Sequence, residues 1–473
     1  MDKYKLIFNE EEPKYIQLKS HIKNLIDNNE IKDGEKLPSI RALSNFLGVN
    51  KVTVINGYKK LQEEGYATQI MGSGTYGKKK EVYKGFRKRY SNEIKKIFNS
   101  GFKGIIDFSG ETALSSFFPV NELKKVLNEV LDRDGSKALV YQEALGYYKL
   151  RQAINDKFWG NKQKEDNILI VSGAQQGIDI ASKALININD NVIIEKPTYS
   201  GALSVFKWRR ANVFEVNMES DGVDINSFEK ILKKHRIKCF YAMSYFQNPT
   251  GISYSLEKKK RILDLAEKYD FYIIEDDYLS ELIYDKSIEY ITFKELDEFD
   301  RVIYIKSFSK IFLPGIRLGY IICPEVFLES FQNFKVNTDI ATSSLMQRAL
   351  EKYIENGFWQ EYIKYLNLEY RKRYLFIKNI LDEDFKDVIT YNDPKGGLNF
   401  FLNINSNINI TSLELFDILK ERKILITPGV LFYKNSECGY KNFRIGFSET
   451  EKEDIKKGMD IIKNILIERG DNR

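Results

Sequence analysis

At 473 residues the chain is too long for one ordinary domain, so two or three are expected. Its 43% hydrophobic and 30% charged residues describe a soluble globular protein with a substantial core, and the +6 net charge does not by itself imply nucleic acid, because 73 basic residues nearly balance 67 acidic ones. Cys239, Cys323 and Cys438 lie far apart with no metal-ligand spacing, which predicts buried reduced thiols, and with only His21 and His235 present no histidine-based metal site or triad is expected. The N-terminal Met-Asp-Lys-Tyr-Lys-Leu-Ile-Phe-Asn-Glu has no signal-peptide core, and no apolar run approaches a membrane span of about 20 residues. A cytoplasmic protein is the expectation.

After Pro13, apolar residues at Leu18, Ile22, Leu25 and Ile26 follow the stripe of an amphipathic helix. A turn at Lys32-Asp33-Gly34 precedes Leu37-Pro38-Ser39, where Ser39 caps a short helix carrying Ile40, Leu43 and Leu47 that Gly48 ends. Asn50 starts the next helix, which puts Val54, Tyr58 and Leu61 on one side and Lys51, Thr53 and Asn56 on the other. Two helices this close, joined by a Gly-containing turn, make a helix-turn-helix. Gly65 stops the third helix, and Met71-Gly72-Ser73-Gly74-Thr75 turns a two-stranded wing. From Pro13-Lys14-Tyr15-Ile16-Gln17-Leu18 through Leu37-Pro38-Ser39-Ile40-Arg41 to Gly72-Ser73-Gly74-Thr75, residues 11–78 resemble the GntR-type winged helix-turn-helix. That resemblance implies double-stranded operator DNA as a partner. Arg41 would grip phosphate, Asn50, Lys51 and Thr53 would enter the major groove, and the Gly72 turn would reach the minor groove. Ile55 departs from the basic residue of several relatives, leaving fewer polar contacts for base readout.

Residues 79–103 read as a basic linker, with Lys78-Lys79-Lys80, Lys84 and Arg87-Lys88-Arg89 leading into a helical segment that ends near Phe98. From residue 104 to 473, β-rich runs alternate with helix-length segments such as Leu256–Tyr269. The candidate strands are Ile168–Val171, Val192–Glu195, Val213–Val216, Cys239–Met243, Phe271–Glu275, Val302–Ile305 and Leu318–Ile322. This βαβ pattern predicts an α/β domain, an open sheet with helices on both faces and a ligand crevice at the carboxyl ends of the strands.

The chemistry-bearing strings fall at those ends. Ser307-Phe308-Ser309-Lys310 with Arg317 seven positions on suits a lysine that forms an imine to an aldehyde cofactor while its neighbours hold a phosphate. Ser172-Gly173-Ala174-Gln175 follows a strand and opens a helix, where small residues and the helix dipole favour an anion. Tyr199 ends another strand, Asn248 stands in the rare string Asn248-Pro249-Thr250-Gly251, and Glu275-Asp276-Asp277-Tyr278 leaves a buried strand. Together with Asn442-Phe443-Arg444-Ile445-Gly446 these motifs resemble fold-type I, pyridoxal-phosphate-dependent aminotransferases of class I and II, whose doubly wound mixed sheet carries a small C-terminal α+β subdomain. The resemblance implies pyridoxal 5'-phosphate as cofactor and Lys310 as its Schiff-base lysine. Gly173, Ala174 and Gln175 would form the phosphate cup with Ser307, Ser309 and Arg317. Tyr199 would stack on the ring, Asn248 and Tyr278 would approach the phenolic oxygen, and Asp276 would hold the pyridine nitrogen, with Asp277 as the alternative. Arg444 would clamp an effector carboxylate, and Tyr141 would reach the phosphate from a neighbouring subunit.

A GntR-type module ahead of an aminotransferase-like domain resembles the MocR family of transcriptional regulators, which bind DNA as head-to-tail homodimers and use the cofactor domain as a sensor. What this implies is a DNA-binding regulator sensing pyridoxal phosphate or an amino-acid effector through Lys310. Gly201 stands where GABA-responsive members carry arginine, which argues against GABA. Asn248 is the residue of working aminotransferases, so an active aminotransferase with an accessory DNA-binding domain is the alternative, and a cofactor-binding scaffold without regulated DNA binding is a third.

Overall fold

The computed structural model describes residues 1–6, 8–10, 12–27, 30–32, 34–70, 72–78, 85–99, 104–339 and 341–470. The stripe after Pro13 becomes α1 (Lys14–Asp27), with Leu18, Ile22 and Ile26 fully buried. In α2 (Ile40–Leu47) the Ser39 hydroxyl accepts from the Ala42 N–H at 3.2 Å, and Gly48 closes the helix in the left-handed region at φ 65°. In α3 (Lys51–Glu63) the Asn50 Oδ1 takes the Val52 N–H at 3.0 Å. Val54, Tyr58 and Leu61 turn inward, and the Tyr58 hydroxyl donates to the Pro38 carbonyl at 2.8 Å, tying the two helices together. Strands β1 (Ala67–Ile70) and β2 (Gly74–Gly77) pair antiparallel as the expected wing; Met71, in its turn, lies outside the described residues. These elements share one apolar core, from Leu18 through Leu43 and Val54 to Tyr66.

The chain divides into two units, Met1–Phe102 and Lys103–Arg473. The helical segment expected near Phe98 is α4 (Phe86–Asn99). Much of the basic run before it, residues 79–84, lies outside the described residues.

In the larger unit the seven expected strands all form. They are β3 (Ile168–Val171), β4 (Asn191–Lys196), β5 (Asn212–Glu219), β7 (Ile237–Ala242), β8 (Tyr272–Asp277), β9 (Val302–Ser307) and β10 (Gly319–Ile322), with a two-residue edge strand β6 (Gly222–Val223). The sheet order is β3-β10-β9-β8-β7-β4-β5-β6. Strands β9, β8, β7, β4 and β5 are parallel, whereas β10 runs antiparallel to both β9 and β3. Strand β3 is therefore parallel to β9, and β10 brings its own start, just after Arg317, to the carboxyl ends of its neighbours. Strands β8 and β9 run two residues beyond their expected ends, so Asp276 and Asp277 are strand residues that face opposite sides of the sheet.

A second, antiparallel sheet closes the C-terminal part: β11 (Ile389–Tyr391), β12 (Asn399–Ile404), β13 (Thr427–Pro428) and β14 (Asn442–Gly446), in the order β11-β12-β14-β13. Ile106–Asp107 pairs parallel with Ile424–Leu425, which draws the start of this unit into its end. Cys239 and Cys323 are buried as expected, but Cys438 is exposed, because it sits in the short surface turn Ser436–Gly439 rather than in a strand. Among the described residues no helix is long and apolar enough to cross a membrane, and no cluster of His, Cys, Asp and Glu could hold a metal.

Candidate functional site

At the carboxyl ends of the parallel strands, Gly173 (φ 93°) precedes the helix Ala174–Leu185, and a Cβ there would stand 2.9 Å from Arg317 Nη2. Arg317 donates through Nη2 to the Ser172 carbonyl at 2.9 Å and through Nη1 to Ser309 Oγ at 3.3 Å; the Ser309 N–H in turn reaches Ser307 Oγ at 3.2 Å. Gly173, Ala174, Ser307, Ser309 and Arg317 thus converge on one rim. The Tyr199 hydroxyl donates to Gln175 Oε1 at 3.3 Å, and a Cβ on Gly201 would run into the Tyr199 ring and that same Gln175 oxygen. Gly201 is accordingly what leaves room for both residues, and an arginine there would evict them.

The adjacent aspartates differ sharply. Asp277 is saturated: it accepts from Lys306 Nζ at 3.0 Å, Tyr304 at 2.7 Å, Tyr290 at 2.9 Å and Ser280 Oγ at 2.7 Å. Burial pushes its carboxyl upward, but Lys306 and the hydroxyls outweigh that and hold it below the usual range. Asp276 accepts from the Tyr241 hydroxyl at 2.6 Å through Oδ2, while Oδ1 is buried with no hydrogen-bond partner among the described residues. Burial raises Asp276 to about 6, against the pull of Tyr241.

Asn248 is held by a rigid turn. Gln247 Nε2 donates to Glu195 at 2.9 Å, and Gln247 Oε1 accepts from the Thr250 N–H at 3.0 Å and hydroxyl at 2.6 Å. The Asn248 side chain spans two partners, donating to Glu111 Oε1 at 2.8 Å and accepting from Arg444 Nη1 at 2.9 Å. Arg444 also donates through Nη2 to the Ser109 carbonyl at 3.0 Å and Thr427 Oγ1 at 3.1 Å, and it is ion-paired with Glu111. Lys310 Nζ lies 3.2 Å from Glu111 Oε2. Burial pushes the Lys310 amine below the ordinary lysine range; Glu449 opposes this and Arg317 reinforces it. The Tyr278 hydroxyl donates to the Phe246 carbonyl at 3.0 Å, so its proton is already engaged.

Of the residues singled out in this unit, only Tyr141 stands apart from the group. It is 79% exposed, in a run with the exposed Leu139 and Val140. Sequence reasoning missed Glu111, Lys306, Glu195 and Gln247. Gln247 adjoins Asn248 and was within reach of attention, but the partners of Glu111 are remote in sequence and no local spacing announces them.

In the smaller unit, Arg41 lies in the first turn of α2 and is exposed, as are Asn50, Lys51 and Gly72, with Thr53 partly covered. Asn50 spends its Oδ1 on the helix cap, which leaves its amide nitrogen for other contacts. Val52 and Ile55 add exposed apolar surface to this face of α3.

The profile of the aminotransferase class I and II family matches residues 109–462, and that of the bacterial regulatory proteins of the gntR family matches residues 14–76. An HTH-type transcriptional regulator of Bacillus subtilis, YcxD, is 30% identical over 96% of this chain and 100% of its own length. The Staphylococcus aureus HTH-type transcriptional regulator NorG is 28% identical over 90% of this chain and 98% of its own. Among solved structures, the multiple substrate aminotransferase of Thermococcus profundus superposes with a TM-score of 0.74 at 26% identity, covering 80% of this chain and 95% of that one. With a gntR-type module preceding a domain of the aminotransferase class I and II family and full-length similarity to HTH-type regulators, the chain belongs to the MocR family of transcriptional regulators, within the GntR superfamily.

Proposed function

We propose that the protein is a pyridoxal-phosphate-dependent DNA-binding regulator, in which residues 104–473 sense the cofactor or an amino-acid effector and residues 11–78 hold operator DNA. The observation that carries this reading is the buried, unpartnered Oδ1 of Asp276 in the same sheet end as a lysine whose amine is biased toward its neutral form. Asp276 Oδ1 would accept from a protonated pyridine nitrogen, while Asp277, already filled by Lys306, would keep a structural role. The rim of Gly173, Ala174, Gln175, Ser307, Ser309 and Arg317 fits a phosphate, with a helix N-terminus, hydroxyls and a guanidinium converging.

Pyridoxal phosphate, when bound, supplies an aldehyde that condenses with amines and a protonated ring that withdraws electrons. Lys310 offers the amine, Asp276 keeps the ring nitrogen protonated, and Tyr199 covers the ring. Asn248 and Tyr278 flank the phenolic side. Arg444 orients the effector, and Tyr141 completes the phosphate site of the partner subunit in a homodimer. Regulation follows if the loaded and effector-bound states favour different placements of the DNA-binding modules. On DNA, Arg41 grips phosphate and the Gly72 turn enters the minor groove. Asn50, Lys51 and Thr53 read the major groove beside Val52 and Ile55, whose apolar surface suits thymine methyl groups.

The test is borohydride reduction of the full-length protein after incubation with pyridoxal phosphate, followed by peptide mapping. The expected product carries the reduced cofactor on Lys310 and is absent from Lys310→Ala, and loading shifts affinity for promoter DNA beside the protein's own gene. A protein that takes up no cofactor overturns the reading. Retention of Asn248 favours a second reading, an aminotransferase with an accessory DNA-binding domain. Turnover of an amino acid with 2-oxoglutarate, lost in Lys310→Ala, would establish it.

A further inference from the structure

Glu111 has no part in the roles above, yet one carboxylate touches three of the groups that carry them. Its Oε1 accepts from Asn248 Nδ2 at 2.8 Å and is ion-paired with Arg444, and its Oε2 lies 3.2 Å from Lys310 Nζ. The carboxylate is 9% exposed. Burial makes such a charge costly unless it is paired, and here cations meet both oxygens.

The placement is fixed by backbone on either side. The Gly446 N–H donates to the Phe108 carbonyl at 2.7 Å, and the Ala113 N–H donates to the Lys310 carbonyl at 3.1 Å. The Ser109 carbonyl receives Arg444 Nη2 at 3.0 Å. A Cβ on Gly446 would strike the Gly110 carbonyl, so that glycine is needed for the segment to lie this close to β14, while a Cβ on Gly110 would displace the Glu449 carboxylate. Glu111 is thereby carried to the middle of the site, with its carboxylate where an incoming carboxylate would meet Arg444.

We infer that Glu111 is a specificity-determining residue, a built-in carboxylate that an effector must displace from Arg444 before its own α-carboxylate can bind. Two carboxylates on one guanidinium, with the half-buried Lys310 amine taken up by the cofactor, leave an unbalanced negative charge in a low-dielectric site. Without displacement, the resting site takes an amine that has no neighbouring carboxylate in preference to the corresponding α-amino acid. The inference rests on the proposed cofactor site, since the amine must reach the group held by Lys310.

The experiment uses the full-length protein loaded with pyridoxal phosphate, and L-alanine and ethylamine as probes, which differ by the carboxylate alone. Binding is read by calorimetry and by the change in cofactor absorbance. Wild type is expected to bind ethylamine more tightly than L-alanine. In Glu111→Gln, nearly the same shape without the charge, L-alanine tightens by about tenfold or more while ethylamine stays within about twofold. Glu111→Ala repeats the measurement in case the glutamine amide re-engages Arg444. Tighter binding of L-alanine than ethylamine to wild type, or an unchanged ratio in both variants, overturns the inference. Failure of the cofactor reading looks different: the wild type then shows no cofactor absorbance before any probe is added.

Discussion

The two units place their functional side chains in opposite ways. In Met1–Phe102 the residues proposed for DNA stand on the exposed faces of α2 and α3, and the core beneath them is built from other residues, Val54, Tyr58 and Leu61. In Lys103–Arg473 the site residues are themselves packed: Asp276, Asp277, Asn248 and Arg444 are all buried, each in hydrogen bonds with other side chains. A surface reader can therefore change its contacts at little cost to its fold, whereas the buried site cannot change a charge without disturbing whatever balances it.

The sharpest way to break this contrast is at the adjacent aspartates. Asp277→Asn strips the buried Lys306 of its principal partner and leaves Glu281, so a loss of about 3 kcal/mol or more is expected in urea unfolding of the cofactor-free protein. Asp276→Asn should not destabilise the protein in the same assay, since Tyr241 is the one donor to Asp276 among the described residues and asparagine removes a charge that burial penalises, yet it should retain pyridoxal phosphate at least about tenfold less tightly. Equal destabilisation by both would erase the distinction between them. On the exposed side, Arg41→Ala should weaken binding across DNA sequences and lower the salt slope by about 1, with Tm unchanged, in fluorescence anisotropy over a salt series.

Ser39→Ala tests the contrast from within the smaller unit, because this exposed residue has a structural task. Loss of the cap on α2 is expected to cost about 1 kcal/mol in thermal unfolding of the DNA-binding unit. A further effect concerns pH. Asp276 is raised in the folded protein to about 6, so its protonated form adds stability that is fully present below the ordinary aspartate value of about 3.9 and lost as pH rises through 6. Thermal melts of the cofactor-free protein across that window should show this decline in wild type and a flatter profile in Asp276→Asn.

The same contrast explains what could be read in advance. The helix caps at Ser39 and Asn50, the stop at Gly48 and the seven strands of the main sheet are local patterns, so their residues announced them. The site rim was legible because sheet topology gathers strand ends, and Lys310, Arg317 and Gly173 all sit at such ends. What stayed hidden depends on pairings between distant segments. Nothing in Ser109-Gly110-Glu111 says that Gly446 and Arg444 will lie against it, and two neighbouring aspartates cannot be told apart until Tyr304, Tyr290 and Lys306 are seen on one side and Tyr241 on the other. The exposure of Cys438 was misjudged for a similar reason, since a single cysteine carries no mark of the turn that holds it.

The pairing of Ile106–Asp107 with Ile424–Leu425 also sets a clock during synthesis. Residues leading to Glu111 leave the ribosome early, but their strand partner follows about 300 residues later, roughly 15–60 s at ordinary elongation rates. The DNA-binding unit has its own apolar core, from Tyr4 to Ala67. A nascent chain can thus present a finished DNA-reading module before the sensor that governs it exists, and the interval closes only when Leu425 and, after it, Arg444 have emerged.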